Sequence, residues 1–423
     1  MKLLFICYEL GYRGTPRYLL NCAKIAKATG FDVLVWALEQ GGAAKDECSD
    51  LGIQVIEGLS EIPSALSFKP NIVHIHRSGG VSYRDTALLK YLKSKCSCRI
   101  METNVFGTAD LTPSSPIDLH AHISRWDLWR WRKWFWPFRQ AGIYLPYCVD
   151  TDAIRPLMSD FRERNSIPND AIVIGRLGKT DWDLITKSVV PAMEKDPNIW
   201  FASVADYSDS LATIRLWPKE IQNRVTSIPR LKGPDELSAF YSACTTTLNF
   251  SPIGESFGYV VAESMSCGTP CIAHSKPRND NAQIEVAALK FGGYPVLNAA
   301  SAEKTILDIA KSRITPEQKA LCRKSIISRY SIQVFSPILL KAYALLYGSC
   351  KTGIKLEKCY KDVGFETDIP NSEINDSLAN VIGGRPSLLT RIKMRLAYSF
   401  PNAFRLHRIC LKDFPSEIPK NWL

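Results

Sequence analysis

Short apolar runs alternate with amphipathic stretches along the first half of the chain. Continuous apolar segments predict strands at 3–7, 33–37, 53–56, 71–76 and 98–103, and helical spacing predicts helices at 18–27 and 86–95. Short buried strands that alternate with helices are typical of a parallel sheet covered on both faces. The pattern therefore predicts a Rossmann-like α/β domain at residues 1–165.

The same alternation begins again after residue 165. Strand-like runs occupy 171–177, 199–205, 245–250 and 270–274, and the turn-rich segment 148–156 is polar enough to be the connection. We predict a second Rossmann-like domain at 166–330, facing the first across a cleft, and a basic C-terminal appendage at 351–423. The fold class is thus α/β with two doubly wound domains, in which ligands bind beyond the carboxyl ends of the strands.

The segment from Gly254 to Pro270, GESFGYVVAESMSCGTP, carries the strongest chemical signal. It begins in a turn after a predicted strand and continues into a helix that ends at Gly268. Unpaired backbone amides at the start of such a helix form an anion-binding site. Two carboxylates, Glu255 and Glu263, accompany it. Spacing alone leaves open that they are solvated or helix-capping charges.

The wider string resembles the retaining nucleotide-sugar glycosyltransferases of family 4, which have the two-domain GT-B fold. The pattern E-x-F-G-x-x-x-x-E-x-M-x-x-G-x-P is matched by Glu255, Phe257, Gly258, Glu263, Met265, Gly268 and Pro270. The resemblance implies that Glu255 lies beside the donor sugar and that Glu263 binds the ribose hydroxyls. It also implies that amides of Ser256, Phe257, Gly258 and Tyr259 hold the diphosphate or the sugar.

A second match is the string IGRLGKTDWD, in which Arg176 and Lys179 resemble the family's diphosphate-binding pair. Fixed cations stabilise the charge on a leaving diphosphate, so no metal is expected. The family usually places the lysine about five residues after the arginine, and Lys187 is the fallback here. The alternative is that these are surface charges at a strand end.

The amino-terminal loop is a weaker match to the family's glycine-rich entry into its first helix. Gly11 and Gly14 leave room for a ligand, and Thr15 is a suitable N-cap before Pro16. An ordinary strand–turn–helix connection is the alternative. In the family the last helices return to the first domain, a role that residues 331–350 fit.

One departure concerns a histidine that many relatives place at the end of the strand containing Glu102. Glu102 and Asn104 occupy that region here and are candidates for a sugar or acceptor contact. His74 and His76 lie on the preceding strand and are predicted to be structural. Farther along, Asp280 and Asn281 are candidates to cap a helix, and a position near the donor is the alternative.

These residues predict a retaining glycosyltransferase that uses a nucleotide-diphosphate sugar as co-substrate and a glycan or a lipid-linked compound as acceptor. A nucleotide-sugar 2-epimerase or a phosphorylase of the same fold is the alternative within this architecture. A non-catalytic protein that binds membranes or nucleic acid is the alternative from another class. We rank it last because the chain contains no recognised nucleic-acid module.

The composition of the chain bears on its binding partner and on its cellular compartment. The net charge of +11 suits an anionic partner, although an inert basic surface is the alternative. Thirteen cysteines without a C-x-x-C pair predict free buried thiols and no zinc site. The opening residues are too short for a signal peptide, and no apolar stretch is long enough to span a membrane, so a cytoplasmic protein is expected.

Two basic segments suggest contact with a membrane surface. Residues 125–139 hold five of the ten tryptophans among basic side chains, and residues 385–412 carry seven Lys or Arg and no acid. Aromatic rings beside cations suit the headgroup region of a bilayer. For 125–139, the alternative is a helix whose tryptophans pack into the first domain. For 385–412, the alternatives are a partner molecule and the body of the enzyme itself.

Overall fold

The computed structural model describes residues 1–11, 14–42, 44–78, 83–105, 115–133, 141–178, 180–204, 209–276, 280–348 and 356–382. Within these residues the chain forms two compact units, the first from Met1–Cys148 and Gln333–Asn371, the second from Val149–Ile332. The chain passes from one unit to the other at Cys148, inside the segment that the sequence predicts as a connection.

The first unit is built on a parallel sheet of seven strands in the order β3-β2-β1-β4-β5-β6-β7. Its strands are β1 Lys2–Glu9, β2 Asp32–Gln40, β3 Gln54–Glu57, β4 Ile72–Arg77, β5 Arg99–Asn104, β6 Leu119–His122 and β7 Ala141–Tyr144. Its helices are α1 Gly14–Ala28, α2 Lys45–Asp50, α3 Ile62–Phe68, α4 Tyr83–Cys96 and α5 Arg125–Lys133, with a 3-10 turn at Leu59–Glu61.

The second unit has a parallel sheet of six strands in the order β10-β9-β8-β11-β12-β13. The strands are β8 Ile172–Arg176, β9 Ile199–Val204, β10 Val225–Ile228, β11 Thr246–Asn249, β12 Cys271–His274 and β13 Tyr294–Val296. The helices are α6 Phe161–Arg164, α7 Trp182–Lys195, α8 Asp209–Ile214, α9 Lys219–Gln222, α10 Gly233–Ala243, α11 Tyr259–Ser266, α12 Gln283–Val286, α13 Ala299–Ser312 and α14 Pro316–Tyr330, with a 3-10 turn at Leu289–Phe291. Strands rich in β-branched and aromatic residues, such as β9, fit a sheet buried on both faces.

The carboxy-terminal helices α15 Ile332–Gly348 and α16 Leu356–Asp362 pack largely within the first unit. Tyr343 of α15 is fully buried and its ring meets that of Phe5 on β1 at 6.4 Å. Tyr360 of α16 is also buried and donates to the carbonyl of Ala342 at 2.8 Å. Part of the predicted appendage is therefore integrated into the first unit. Helix α17 spans Asn371–Ile382, and residues 383–423 lie outside the described residues.

The predicted class is confirmed: both sheets are parallel and both are flanked by helices. Apolar side chains of β8, β9 and β11 pack against α7 and α13 to form the core of the second unit. This core leaves the carboxyl ends of β8, β11 and β12 side by side at one edge of the sheet, where the candidate site lies.

Candidate functional site

The loop between β11 and α11 is closed by an internal hydrogen bond and packs against the backbone of Asp280. The Ser251 hydroxyl donates to the carbonyl of Gly254 at 2.7 Å. Gly254 has a φ of 73°, and a Cβ atom there would lie 1.6 Å from the carbonyl oxygen of Asp280. Only glycine permits this backbone contact. The contact brings the segment that begins at Asp280 up to the Glu255 loop.

Glu255 is held between a strand end and a short helix. Asn249, the last residue of β11, donates its side-chain amide to Glu255 Oε1 at 3.3 Å. The Glu255 backbone N–H donates to Gln283 Oε1 at 3.1 Å, and its carbonyl accepts from the Ala282 N–H at 2.9 Å. The side chain remains partly exposed. The carboxylate is therefore fixed in position and still accessible.

Burial raises the pKa of Glu255 to about 7, and the negative charge of Asp280 adds to the effect. Hydrogen bonds from Asn249 and Ser251 oppose this rise but do not cancel it. A carboxyl group with such a pKa exchanges between its neutral and ionised forms near neutral pH. It is therefore able either to accept or to donate a hydrogen bond to a ligand hydroxyl.

The Glu255 loop ends at Gly258, which is the N-cap residue of helix α11 and has a φ of 89°. Gly258 provides no side-chain cap, so the first amides of this helix have no intrahelical partner. Phe257 is buried and packs edge-on against Tyr330, with ring centroids 5.1 Å apart. Its side chain anchors the loop, and its contribution to a donor site would come from its backbone amide. Ser256 is also buried, while Tyr259 is partly exposed.

Glu263 lies one turn farther along α11 and is only 3% exposed. Tyr241 on α10 donates its hydroxyl to Glu263 Oε2 at 3.0 Å. Tyr241 is a partner that the sequence pattern does not reveal. The ribose contact implied for Glu263 stays a prediction.

Arg176 ends β8 and is buried. Its Nη1 donates to the Val204 carbonyl at 3.0 Å, its Nη2 donates to the Gly178 carbonyl, and its guanidinium lies 4.9 Å from the centre of the Trp182 ring. Each terminal nitrogen thus bonds to one protein carbonyl, and these bonds fix the guanidinium at the end of β8. Lys179 lies outside the described residues. Lys187 is exposed and pairs with Asp183 at 2.7 Å.

Three polar residues that the sequence analysis passed over lie at the same sheet edge. Asp181 caps α7 by accepting from the Leu184 N–H at 3.1 Å. Lys276 follows β12, and its Nζ lies 3.7 Å from Asp181 Oδ2. Gln283 bonds to the Glu255 N–H and donates to the His274 carbonyl at 2.7 Å. Positions just beyond strand ends are the general signal that points to Lys276 and Asp181.

The predicted capping role of Asp280 and Asn281 is wrong. Helix α12 begins at Gln283 with Ala282 as its N-cap residue, and no side chain caps it. Instead, Asn281 Oδ1 accepts from the backbone N–H of Lys276 at 2.8 Å. The Asn281 side chain thus bonds to the backbone two residues after β12 and does not cap α12.

The glycine-rich loop of the first unit is described only at its ends. Gly11 follows β1 and is partly exposed, and a Cβ atom there would approach Glu9 Oε1 only to 3.9 Å. Packing against the described residues therefore does not require glycine at position 11. Helix α1 already begins at Gly14, one residue before the predicted cap Thr15, and residues 12–13 lie outside the described residues.

Glu102 and Asn104 belong to a buried ionic network in the first unit. Glu102 Oε1 lies 2.6 Å from Arg77 Nε, and Glu102 Oε2 lies 2.8 Å from His120 Nδ1. Burial alone would raise the pKa of Glu102, but Arg77, His120 and Asn104 outweigh it and hold that pKa at about 2. Because Glu102 is fully buried and both oxygens are paired, the predicted sugar or acceptor contact would require this network to open.

His74 is structural, as the sequence predicts. Its Nδ1 lies 2.7 Å from the Tyr343 hydroxyl and its Nε2 lies 2.8 Å from Thr103 Oγ1. His76 is buried among the rings of Phe5, Tyr18 and His74. Burial lowers the pKa of both histidines well below the usual range, so both are neutral.

The tryptophans of α5 face the interior. Trp126, Trp129 and Trp131 are at most 3% exposed, so these rings do not meet a membrane surface. For this helix the structure shows the alternative in which the aromatic face packs into the first unit. Residues 134–140 and 383–423, which include the rest of both predicted membrane segments, lie outside the described residues.

Within the described residues, no helix combines the length and the apolar character that a bilayer crossing requires. In the same part of the chain, no three His, Cys, Asp or Glu side chains are grouped to hold a metal ion. All eleven cysteines within the described ranges are free.

One protein-family model matches part of the second unit. Residues 168–289 match the family model described as "Glycosyl transferases group 1". This span includes β8, the Glu255 loop, α11 and the loop that follows β12. No curated protein sequence matches the chain significantly.

Solved structures match the chain over most of its length. A glycosyltransferase from Rickettsia africae ESF-5 is 16% identical with a TM-score of 0.65, and the match covers 84% of this chain and 99% of that one. Anabaena HepE, solved with UDP and glucose, is 14% identical with a TM-score of 0.62, and the match covers 81% and 99%. Sucrose-phosphate synthase from Thermosynechococcus elongatus is 14% identical with a TM-score of 0.62, over 82% and 99%.

At this level of identity the structural likenesses establish the fold, and the family match concerns the second unit. The chain therefore has the two-domain GT-B fold, and residues 168–289 of its second unit match the model of the group 1 glycosyl transferases.

Proposed function

We propose that this protein transfers a sugar from a nucleotide-diphosphate donor to an acceptor hydroxyl with retention of the anomeric configuration. The observation that carries the proposal is the position of Glu255. A partly exposed carboxylate with a pKa of about 7 is fixed by Asn249 and Gln283 beside the open N-terminus of α11. Hydroxyl-binding and anion-binding groups thus adjoin, as a sugar linked to a diphosphate requires.

The donor occupies the second unit in this proposal. The diphosphate lies against the first amides of α11 and the loop after β8, which holds Gly178, while Glu255 contacts a hydroxyl of the sugar. The loop after β8 and the first turn of α11 are neighbours, because a Cβ atom built on Gly178 would lie 3.6 Å from the Val260 side chain. One diphosphate can therefore contact both. Glu263 binds the ribose, and Arg176 and Lys179 stabilise the diphosphate.

The reaction breaks the bond between the anomeric carbon and the diphosphate oxygen and forms a bond from that carbon to the acceptor oxygen. The departing diphosphate accepts the acceptor's proton, so the protein supplies binding, orientation and charge stabilisation. Retention follows if the acceptor attacks from the face that the diphosphate leaves. The acceptor is a glycan or a lipid-linked compound.

A ligand screen followed by product analysis tests the proposal. Thermal unfolding of the full chain is measured with UDP, GDP and ADP and with their sugars, because a ligand that binds only the folded state raises the unfolding temperature. The ligand that stabilises most is then incubated with acceptor oligosaccharides or lipid-linked sugars, and the anomer formed is assigned by NMR. Stabilisation by one nucleotide family and a retained product are expected. No stabilisation by any nucleotide would overturn the donor site, and an inverted product would overturn the stereochemistry.

A further inference from the structure

Lys276 is a buried cation whose charge is only loosely paired. The residue is 9% exposed, and lysine is rarely buried without a close partner. Its Nζ lies 3.7 Å from Asp181 Oδ2, which is longer than a hydrogen bond, and makes no closer polar contact within the described residues. Oδ1 of the same carboxylate accepts from the Leu184 N–H as the cap of α7. The Lys276 ammonium group therefore retains donors for another acceptor.

The backbone of Lys276 is tied to the frame that holds Glu255. Asn281 Oδ1 accepts from the Lys276 N–H at 2.8 Å. Gln283 donates to the carbonyl of His274 at 2.7 Å and accepts from the Glu255 N–H at 3.1 Å. One side-chain amide thus links the end of β12 to the Glu255 loop, and this link fixes where Lys276 begins relative to the carboxylate.

The Asp181 carboxylate lies next to the ammonium end of the Lys276 side chain. The Asp181 N–H donates to the carbonyl of Phe250 at 2.7 Å, so the loop after β8 lies against the end of β11. The Lys276 ammonium consequently lies at the sheet edge between the loop after β8 and the loop after β12. The positive charge also reaches His274, whose pKa is lowered to about 4 by burial and, next, by Lys276.

Other described cations near this edge have closer partners within the protein. Arg176 donates to two backbone carbonyls and lies over Trp182. Lys187 is on the exposed side of α7 and pairs with Asp183 at 2.7 Å. Lys276 combines burial with a weak internal partner, which is the condition that a fixed counter-charge for a bound anion requires.

We infer that Lys276 binds the diphosphate of the nucleotide-sugar donor through its ammonium group. This inference rests on the proposed function and adds a donor-binding residue to it. The Lys276 ammonium group stabilises the negative charge that the diphosphate gains as the bond to the anomeric carbon breaks. Arg176 shapes the same edge through its bond to the Gly178 carbonyl.

The test measures binding of UDP, GDP and ADP by calorimetry to the full-length wild type and to Lys276→Met and Lys276→Gln. The matched control is Lys195→Met, an exposed lysine of the second unit that pairs with Glu303 at 2.5 Å. Affinity for the preferred nucleoside diphosphate should fall about 10- to 100-fold in both Lys276 variants, the loss expected for one charge-assisted hydrogen bond. It should be unchanged in the control, and Lys276→Arg should recover part of the loss.

The outcomes separate this inference from the proposed function. If the wild type binds a nucleoside diphosphate and both Lys276 variants bind it equally well, the role of Lys276 is overturned while the donor site stands. If the wild type binds none of the three, both ideas fail.

A structural contribution of the pair with Asp181 is tested with the double variant Asp181→Asn/Lys276→Met, in which neither charge is left unpaired. Ligand-free thermal unfolding reports its stability. Weak binding by a double variant that unfolds like the wild type supports the inference. Normal binding by the same variant contradicts it.

Discussion

Both sheets end in polar side chains at their carboxyl edge, but the two edges differ in what those side chains do. In the first unit Arg77 and Glu102 are fully buried and bonded to each other, and His120 joins them. In the second unit Glu255 stays partly exposed, and Lys276 meets its partner only at 3.7 Å. The first edge is closed by its own pairs, whereas the second retains capacity for a ligand.

The two glutamates show the difference most directly. Burial acts on both, but Glu102 has an arginine beside it and its pKa is held at about 2. Glu255 has no described cation bonded to its carboxylate and faces the charge of Asp280, so its pKa rises to about 7. The same residue type at equivalent ends of two parallel sheets therefore serves stability in one unit and, in our proposal, binding in the other.

The largest expected effect comes from Glu102→Gln. The substitution leaves Arg77 buried without a counter-charge, and removing one partner of a buried pair typically costs about 3–5 kcal/mol of unfolding free energy. Urea unfolding followed by circular dichroism measures it. The control Glu39→Gln, on an exposed part of β2, should stay within about 0.5 kcal/mol of the wild type. Unchanged stability with lost transfer would instead favour the acceptor contact that the sequence predicts.

The matched substitution in the second unit, Glu255→Gln, should act on turnover. Loss of one preorganised contact to the reacting sugar typically lowers kcat about 100-fold, which corresponds to about 2.7 kcal/mol. Stability at neutral pH should not decrease, because a carboxylate that is unfavourable to bury is removed. Initial rates with the preferred donor measure the effect, and Glu220→Gln on the exposed surface of α9 is the control. Normal turnover in Glu255→Gln would show that Glu255 does not contact the reacting sugar.

The pKa of Glu255 predicts a smaller effect that depends on pH. The folded-state value of about 7 lies above the ordinary value of 4.5, so the unfolded chain releases this proton at lower pH than the folded chain does. The wild type should therefore lose stability relative to Glu255→Gln as pH rises from about 4.5 to about 7. Thermal unfolding of both proteins at pH 5 and pH 8 measures the change. Parallel profiles would show that Glu255 titrates normally.

For Glu102 the sign is opposite. Its folded-state pKa lies below the ordinary value, so its contribution to stability is present above pH 4.5 and is lost as pH falls toward 2. The gap in unfolding free energy between the wild type and Glu102→Gln should consequently shrink over this range. A gap that stays constant from pH 7 to pH 3 would contradict this expectation, because the loss should begin near pH 4.5.

The smallest effect should come from Tyr343→Phe, which removes the hydroxyl that bonds to His74 at 2.7 Å. A buried hydrogen bond of this kind contributes about 1 kcal/mol. Urea unfolding should detect this loss, while donor affinity should not change, because both residues belong to the first unit. A marked loss of donor binding would contradict the division of roles between the two edges.

The sequence predicts the central strands of both sheets and the edge strand β3, but it misses four short lateral strands. It locates β1, β4 and β5 in the first sheet and β8, β11 and β12 in the second, because each lies in a strand-like run of five or more residues. It does not locate β6, β7, β10 and β13, which span three or four residues each and lie at or next to a sheet edge. The run LHAH in β6 shows why: all four residues are buried, but four residues with two polar positions are too short to establish a pattern.

The sequence by itself determined the loop and helix from Gly254 to Pro270, because turn chemistry, glycine placement and helix spacing are local properties. Tertiary structure alone decided which charged groups are paired. Glu102 meets His120 because β5 and β6 are in register, and the distant Arg77 reaches it from β4. Lys276 meets Asp181 because two strands that are far apart in sequence end at the same sheet edge. Burial and pairing across strands determine the pKa values and decide which hydrogen-bond donors remain available to a ligand. Local sequence spacing encodes neither burial nor pairing.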